Sequence, residues 1–336
     1  EHEILFQSNQ TIEVFSKMTN PTCWILSDGK VGMENQCLGL AERLELNSQV
    51  KRLYPRFPWT HLPPQLWLFP FSTLMSKSDT LTPPWPDVLI ASGRQTVAIS
   101  VAIKHASNNK TQTIQIQHPR VSANNFDVVI APIHDNLIAP NTINMVGAFH
   151  RITDSRLTEA TQIFHHEYSS LPKPLIAVLL GGSSKKYQMT KKNCQKLSEL
   201  LKSAVQLSGG GIVITPSRRT DQANLEIFRS QLSSVPHKIW NGLGENPYFG
   251  ILGLADGFIV TNDSVNMVTE AASTTKPVYI FNLDGHSPKF DRFHNMLIER
   301  GITRQFNGIF ENWHHEQLDN LDQIASKIKS RLKLTC

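Results

Sequence analysis

The segment DGFIVTNDSVNMVTEAASTTKPVYIF, residues 256–281, contains two apolar runs separated by a polar turn and a stretch of helical length. The runs GFIVT and PVYIF are typical of strands buried on both faces of a parallel sheet. Asp263, Ser264 and Glu270 lie between them. An Asp or Ser before a helix can cap its free N–H groups, or the helix start can hold a ligand phosphate. Under either interpretation, the segment predicts a strand–helix–strand unit.

The same alternation extends from residue 21 to the C-terminal region. Apolar runs separated by segments of helical length predict an α/β protein whose parallel sheets are covered by helices on both faces. About five strands are predicted in each half of the chain. The runs are CWILS, DVLIAS, TIQIQ, FDVVIAP and INMVG in the first half, and LIAVLLGG, GIVITPS, HKIW, GFIVT and PVYIF in the second.

Two prolines in SSLPKPL, residues 169–175, indicate a break between the halves. We therefore predict an N-terminal Rossmann-like domain over 21–170 and a C-terminal one over 171–312, facing each other across a cleft. Residues 313–336 are predicted to form a C-terminal helix that returns to the N-terminal domain. The apolar residues at helical spacing there are Leu318, Leu321, Ile324 and Ile328.

The composition of the 336 residues is that of a globular protein, with 40% hydrophobic and 18% charged residues. A net charge of +5 favours anionic substrates or an anionic membrane surface, but it is smaller than the positive charge typical of nucleic-acid-binding proteins. No run approaches the roughly 18 apolar residues of a membrane span. The four cysteines show neither metal-type nor disulfide-type spacing. We expect a cytoplasmic protein; the alternative is a protein bound peripherally to the inner membrane.

Residues 1–20 do not contribute to the fold prediction. ILFQS, residues 4–8, resembles a viral-protease site used to remove affinity tags, with Met18 as the natural start. A native amphipathic arm is the alternative.

Predicted strands of the first half end in polar or basic residues. Since the carboxyl ends of parallel strands meet at one edge of a sheet, these residues are expected to line the cleft. The alternative for each is a surface residue without a role. The cleft candidates are Asp28, Lys30, Arg94, His118, Arg120, His134 and Asp135.

Strand ends of the second half have the composition of an anion site. Small hydroxyl residues with bare backbone N–H groups bind phosphate, and arginine holds phosphate through two hydrogen bonds. A glycine-rich loop before Pro247 suits a flat base. Glu270 lies almost two turns into its helix and can accept hydrogen bonds from a sugar. The candidates are Gly182, Ser183, Ser184, Lys185, Arg218, Arg219, Asn246, Tyr248, Asp263, Ser264 and Glu270.

No metal site is predicted. The chain has no paired cysteines and no His-x-x-x-His spacing, and its acidic residues are dispersed. The His-His pairs at 165–166 and 314–315 are expected to be exposed helix residues.

The segment YPRFPWTHLPPQLWLFPFSTL, residues 54–74, is rich in aromatic residues and prolines. It is too interrupted for a transmembrane helix. One interpretation is a loop packed on the N-terminal domain. The other is an apolar surface that contacts a membrane or receives a lipid-linked acceptor, with Lys51, Arg52 and Arg56 meeting anionic headgroups.

An ordered set of segments between residues 22 and 310 resembles the mitochondrial-fission (elongated mitochondria) protein family, most of whose members are bacterial. The segments are WILSDGKVGMENQCLGLAERL, SGRQT, QIQHPR, FDVVIAPIHD, LLGGSSK, TPSRRT and ENPYFGILGLADGFIVTNDSVNMVTEAASTTKPVYIF. The family's first loop commonly has His where this chain has Met33, so a proton-transfer role is absent at that position.

The resemblance implies the fold of the GT-B glycosyltransferases, in which the C-terminal domain grips a nucleotide sugar and Glu270 meets the ribose. An inverting transfer also needs a general base near the acceptor, for which Asp28, His118, His134 and Asp135 are the candidates, whereas a retaining transfer can proceed without a protein base. No tightly bound cofactor is expected, because the nucleotide sugar is the substrate.

Three functions remain open at this point. The first is a glycosyltransferase acting on an envelope glycan, a lipopolysaccharide or a lipid-linked acceptor. The second is a nucleotide-sugar epimerase or hydrolase, and the third is a non-enzymatic adaptor on the same scaffold.

Overall fold

The computed structural model describes residues 21–318 and 320–332. The expectations for residues 1–20, and for the last four residues of the predicted C-terminal helix, lie outside this part of the chain. The described residues form two six-stranded parallel sheets and one antiparallel pair of short strands.

The N-terminal sheet has the strand order β2-β1-β3-β4-β5-β6, and every pairing in it is parallel. Its strands are β1 (Thr22–Ser27), β2 (Asn47–Arg52), β3 (Val88–Ser92), β4 (Gln112–Ile116), β5 (Val128–Pro132) and β6 (Thr142–Met145). The helices of this half are α1 (Val31–Arg43), α2 (Arg94–Ala106) and α3 (Asp154–Tyr168).

The C-terminal sheet has the order β10-β9-β7-β11-β12-β14, again all parallel, and β8 pairs with β13 outside it. The strands are β7 (Leu175–Leu180), β8 (Tyr187–Gln188), β9 (Gly211–Pro216), β10 (His237–Ile239), β11 (Gly257–Thr261), β12 (Val278–Phe281), β13 (Asp284–Gly285) and β14 (Thr303–Gln305). The helices are α4 (Lys191–Ser208), α5 (Gln222–Gln231), α6 (Tyr248–Leu254), α7 (Val265–Ala272) and α8 (Pro288–Glu299), followed by α9 (Leu321–Leu332).

The predicted strand–helix–strand unit is β11–α7–β12. Every residue of both strands is buried, and they pair in parallel with Phe258 opposite Val278. This confirms the prediction of two Rossmann-like α/β domains. The ten predicted runs all form strands, but each main sheet has a sixth strand at an edge. These are β2 and β14, which sequence patterning missed because their residues are mostly polar.

The C-terminal helix α9 packs on the N-terminal domain, as predicted. The predicted start at residue 313 was wrong, since the helix begins at Leu321 and Leu318 packs in the core of the C-terminal domain instead. Ile324 and Ile328 belong to the same buried cluster as β1, β3 and β5. Lys329 Nζ lies 2.8 Å from Glu45 Oε1, and Gln112 Nε2 donates to the carbonyl of Leu332 at 2.6 Å. The chain therefore crosses between the domains a second time.

Helix α3 packs with the C-terminal half. Tyr168 is buried in the core that contains β7 and β11, and Leu157 and Phe164 contact the same cluster. A Cβ on Gly250 of α6 would lie 2.7 Å from the Phe164 ring, so the two helices are in close contact. The predicted boundary after residue 170 stays a prediction, and the packing groups α3 with the domain that follows it.

Two smaller expectations have different outcomes. His165 and His166 are exposed on α3, as predicted. The prediction for His314 and His315 was wrong, since neither lies in a helix. The His315 ring is held 2.8 Å from the carbonyl of Glu316 and 3.0 Å from that of Lys276. Among the described residues, no helix is both long and apolar enough to cross a bilayer.

Candidate functional site at the domain interface

The two domains contact each other through the starts of α1 and α7. Gln36 Nε2 donates to Asn266 Oδ1 at 2.8 Å. A Cβ on Gly32 would lie 2.4 Å from Asn266 Nδ2, so only glycine allows this approach without a shift of the Asn266 side chain. Sequence reasoning missed Gln36 and Asn266, because neither residue type at these positions gives a signal for a contact across 230 residues.

The start of α7 is capped and still has free donors. Ser264 Oγ accepts from the N–H of Met267 at 3.3 Å, which is the capping role weighed above. The N–H groups of Val265 and Asn266 have no partner inside the helix, because the first turn lacks preceding carbonyls. Capping and anion binding are therefore compatible at this turn.

Asp263 connects the loop that follows β7 to the loop that follows β9. Its side chain is fully buried, with Oδ2 2.6 Å from Arg219 Nη2 and accepting from the N–H of Gly182 at 3.1 Å. Arg219 also donates from Nη1 to the carbonyl of Gly182 at 3.1 Å. A Cβ on Gly181 would lie 2.2 Å from both carboxylate oxygens, which explains the glycine there. Asp263 therefore orients Arg219 and the glycine turn.

The hydroxyls after β7 are held by backbone groups. Ser183 Oγ accepts from the N–H of Met189 at 3.1 Å, and Ser184 Oγ accepts from the N–H of Tyr187 at 3.2 Å. Each hydroxyl keeps its own hydrogen for donation to a ligand. Lys185 is exposed beside them.

Arg218 is an unengaged cation at the cleft. It is exposed and makes no hydrogen bond or ion pair within the described part of the chain. Its charge acts on Glu34 of α1 in the opposite domain. Burial raises the pKa of Glu34, but hydrogen bonds from Arg52 and Ser27 and the charges of Arg52 and Arg218 outweigh it, so that the pKa is lowered.

Glu270, nearly two turns into α7, is buried and pairs with the half-buried Tyr248 at the start of α6. Tyr248 Oη donates to Glu270 Oε2 at 2.6 Å. Burial raises the pKa of Glu270 to about 7, against the lowering effect of the tyrosine hydrogen bond. Burial and the adjacent carboxylate raise the pKa of Tyr248 well above its usual value. Asn246 Oδ1 accepts from the N–H of Tyr248 at 3.0 Å and fixes the turn before α6.

On the opposite wall, Asp28 lies at the carboxyl end of β1. Its side chain is 2% exposed and forms an ion pair with the exposed Lys30. Gly93 lies close to both Met33 and Asp28, since a Cβ on it would lie 2.7 Å from the Met33 sulfur and 3.8 Å from Asp28 Oδ2. An exposed lysine is therefore paired with a buried carboxylate.

His134 and Asp135 lie at the junction with α8. The His134 ring packs edge-on against Phe293, with centroids 5.4 Å apart, and Asp135 Oδ1 is 2.5 Å from Lys289 Nζ. Arg292 donates to the carbonyl of His134 at 2.9 Å. Burial, aided by the charge of Lys289, lowers the pKa of His134 to about 4. These contacts join the domains, and a catalytic role for either residue stays a prediction.

The other predicted cleft residues contact the 54–74 segment or its surroundings. Arg94 donates to the carbonyls of Thr60 and His61, the latter at 3.1 Å. The carbonyl of Arg120 accepts from a glutamine of that segment at 2.5 Å. His118 Nδ1 accepts from the N–H of Arg120 at 3.0 Å, and both residues are exposed.

Within the described ranges, no three His, Cys, Asp or Glu side chains are grouped so that they could hold a metal ion. The two walls together offer free N–H groups, one unengaged guanidinium and buried carboxylates. Such an arrangement can bind an anion with attached hydroxyl groups.

Solved structures of nucleotide-sugar enzymes have the same two-domain GT-B fold. The UDP-GlcNAc 2-epimerase from Methanocaldococcus jannaschii is similar with a TM-score of 0.58 at 12% identity, covering 94% of this chain and 100% of that one. The UDP-GlcNAc 2-epimerase from Neisseria meningitidis, bound to UDP-GlcNAc, gives a TM-score of 0.52 at 12% identity over 94% and 100%.

Curated relatives are more similar in sequence. Mitochondrial fission protein ELM1 of Arabidopsis thaliana is 32% identical over 280 residues, which are 74% of this chain and 64% of that protein. The chain thus spans less than two thirds of that relative's length. An uncharacterized protein of Rickettsia prowazekii is 26% identical, with 93% of this chain and 98% of that protein covered. The family model described as Mitochondrial fission ELM1 matches residues 31–332. The chain therefore belongs to the Mitochondrial fission ELM1 family.

Proposed function

We propose that the protein is a glycosyltransferase that moves a sugar from a nucleotide-sugar donor to an envelope glycan, a lipopolysaccharide or a lipid-linked acceptor. The observation that carries this proposal is the start of α7, which has N–H groups free to bind an anion and is followed in the same helix by the buried Glu270. Arg218, exposed and without a hydrogen bond or ion pair among the described residues, adds a cation. An anion-binding helix start and a buried hydroxyl acceptor match the diphosphate and ribose of one ligand.

The donor is bound by the C-terminal domain in this proposal. The diphosphate lies against the N–H groups of Val265 and Asn266, with Arg218 on one side and the Ser183–Ser184 hydroxyls on the other. Glu270 accepts hydrogen bonds from the ribose, and the loop before Tyr248 contacts the base. Structural neighbours with bound UDP-GlcNAc or UDP support this assignment.

The transfer forms a bond from an acceptor hydroxyl to the anomeric carbon and breaks the bond from that carbon to the diphosphate. Negative charge grows on the leaving diphosphate, which Arg218 and the helix start stabilise. In an inverting reaction, Asp28 on the facing wall takes the proton of the acceptor hydroxyl, after Lys30 has moved away from its carboxylate. The nucleotide sugar is consumed as a substrate, and no tightly held cofactor is needed.

A nucleotide-sugar epimerase is the second candidate. It is favoured by the similarity to UDP-GlcNAc 2-epimerases over nearly the whole chain. Product analysis separates the two, because a transferase leaves the sugar on an acceptor and an epimerase changes the free donor. A non-enzymatic adaptor should bind neither nucleotides nor nucleotide sugars.

The proposal is tested by thermal unfolding in the presence of UDP, GDP, ADP and their sugar conjugates. A ligand that binds only the native state increases the free energy of unfolding, by about 2.7 kcal/mol at a hundredfold excess over Kd, and so raises the unfolding temperature. At least one nucleotide series should stabilise the protein. If none does at millimolar concentration, the nucleotide-sugar assignment is wrong.

Nucleotide binding is expected to strengthen as pH rises from 6 to 8. With a pKa of about 7, Glu270 is about one-tenth ionised at pH 6 and about nine-tenths at pH 8. Because ribose hydroxyls donate to the ionised carboxylate, affinity should rise roughly tenfold. Calorimetric titration at both pH values checks this, with Glu270→Gln as the isosteric control that should remove the dependence.

The same group should affect the unliganded protein in the opposite direction. Its pKa is raised by folding, so its stabilising contribution is complete below pH 4.5 and is lost as pH rises through about 7. Glu270→Gln should therefore gain stability relative to the wild type as pH increases. An affinity that does not change with pH in the wild type would contradict the ribose contact.

A further inference from the structure

Exposed apolar side chains are concentrated in one part of the N-terminal domain. Of the fourteen large hydrophobic residues exposed in the described chain, six lie between residues 57 and 75. Those six are Phe57, Leu66, Leu68, Phe69, Phe71 and Met75. Leu68 and Phe69 are 77% and 74% exposed, and Phe57 is 80% exposed. Scattered apolar residues need no explanation, but such a concentration marks an interaction surface.

This exposure does not come from a lack of folding. Trp59 and Trp67 of the same segment pack edge-on at 6.2 Å and contact the core beneath α2. The N–H of Arg56 donates to the carbonyl of Thr73 at 2.9 Å, and Arg94 holds the segment from the start of α2. The segment therefore has a fixed structure that buries one set of apolar groups and presents another.

Basic residues predominate around these side chains: Arg52 is paired with Glu34 and its N–H donates to Asp79, but Lys51, Arg56 and Lys77 form no ion pair among the described residues. Residues 51–78 contain four lysines or arginines and no aspartate or glutamate. Lys77 is exposed with its Nζ 4.5 Å from the Tyr54 ring, and Lys51 lies 4.9 Å from the Trp24 ring. Basic side chains around apolar tips match an anionic lipid surface, where the tips enter the acyl boundary and the cations meet headgroups.

The position of the segment relative to the cleft adds a geometric reason. It follows directly from the carboxyl end of β2, the sheet edge that also carries Asp28. Between the segment and α2 lies an apolar cavity of about 450 Å³, whose lining includes Trp67, Pro70 and Val101. A bilayer at this surface would adjoin the N-terminal wall of the cleft, which carries Asp28. The cavity is large enough to hold part of a hydrocarbon chain.

We infer that residues 51–77 form a docking surface for an anionic lipid bilayer and hold the N-terminal wall of the cleft at the membrane. The surface acts through its exposed apolar tips and surrounding cations, and it operates whether or not the cleft transfers a sugar.

Vesicle flotation of the whole protein tests this inference, using phosphatidylcholine vesicles with and without 30% phosphatidylglycerol, a proportion chosen as roughly that of an anionic membrane surface. The wild type should float with the anionic vesicles only, and less so at high salt. Leu68→Ser/Phe69→Ser should abolish flotation. Lys51→Ala and Lys77→Ala should each weaken it roughly fivefold.

The matched control is Ile163→Ser/Leu207→Ser, which removes two exposed apolar side chains from α3 and α4. It should float like the wild type. Unfolding temperature and UDP binding should be unchanged in Leu68→Ser/Phe69→Ser, which separates docking from the donor site. No flotation of the wild type, equal flotation with neutral vesicles, or normal flotation of Leu68→Ser/Phe69→Ser would overturn the inference. So would a dimer that this variant dissociates in sedimentation experiments.

Discussion

Gly181→Ala is expected to lower the free energy of unfolding by about 3 kcal/mol, the size seen when a core is overpacked or a buried ion pair is disrupted. The added Cβ would lie 2.2 Å from both carboxylate oxygens of Asp263. Because that side chain is fully buried, it must move and lose its contacts with Arg219 and the N–H of Gly182. One methyl group thus leaves a buried carboxylate without partners.

Urea unfolding followed by circular dichroism measures this change. Gly209→Ala is the control, because that glycine has open space around it. Its φ of 70° means that alanine there costs about 1–2 kcal/mol of backbone strain. If the two variants lost equal stability, Asp263 would not be the rigid neighbour that the distances indicate.

Arg218→Ala is expected to weaken nucleotide diphosphate binding tenfold or more while leaving the fold intact. A charge-assisted hydrogen bond contributes about 1.5–3 kcal/mol, and 1.4 kcal/mol corresponds to a factor of ten in Kd. Arg218 makes no hydrogen bond or ion pair with other described residues, so its loss leaves no protein group unpaired. Titration calorimetry with UDP, or with whichever nucleotide stabilises the protein, gives the ratio.

Two variants serve as references for this measurement. Arg229→Ala removes an arginine that is paired with Glu226 on α5 and should leave affinity unchanged. Asp28→Ala should also spare donor binding and reduce turnover, because Asp28 lies on the opposite wall. If Asp28→Ala lost nucleotide affinity and Arg218→Ala kept it, the donor would bind the N-terminal domain, and the proposed donor site would be wrong.

The patterning of buried strands could be predicted from the sequence because burial on both faces leaves a continuous apolar run. β11 and β12 show this in the segment around Asp263. The edge strands β2 and β14 were missed for the same reason, since an edge strand with polar side chains has no such run. His315 was misassigned because its ring partners are backbone carbonyls, which sequence does not specify.

By itself the sequence determined the α/β class, the two-sheet organisation, the return of the C-terminal helix and the set of polar residues at strand ends. Only the tertiary structure decided which of those residues face open space and which are bound to protein. Asp263 and Arg219 are bound to each other, whereas Arg218 next to it is not. Local periodicity depends on whether a side chain is buried, but pairing depends on what packs opposite. For Gln36 and Asn266 that partner is 230 residues away, and the relative placement of two sheets alone brings them within 2.8 Å.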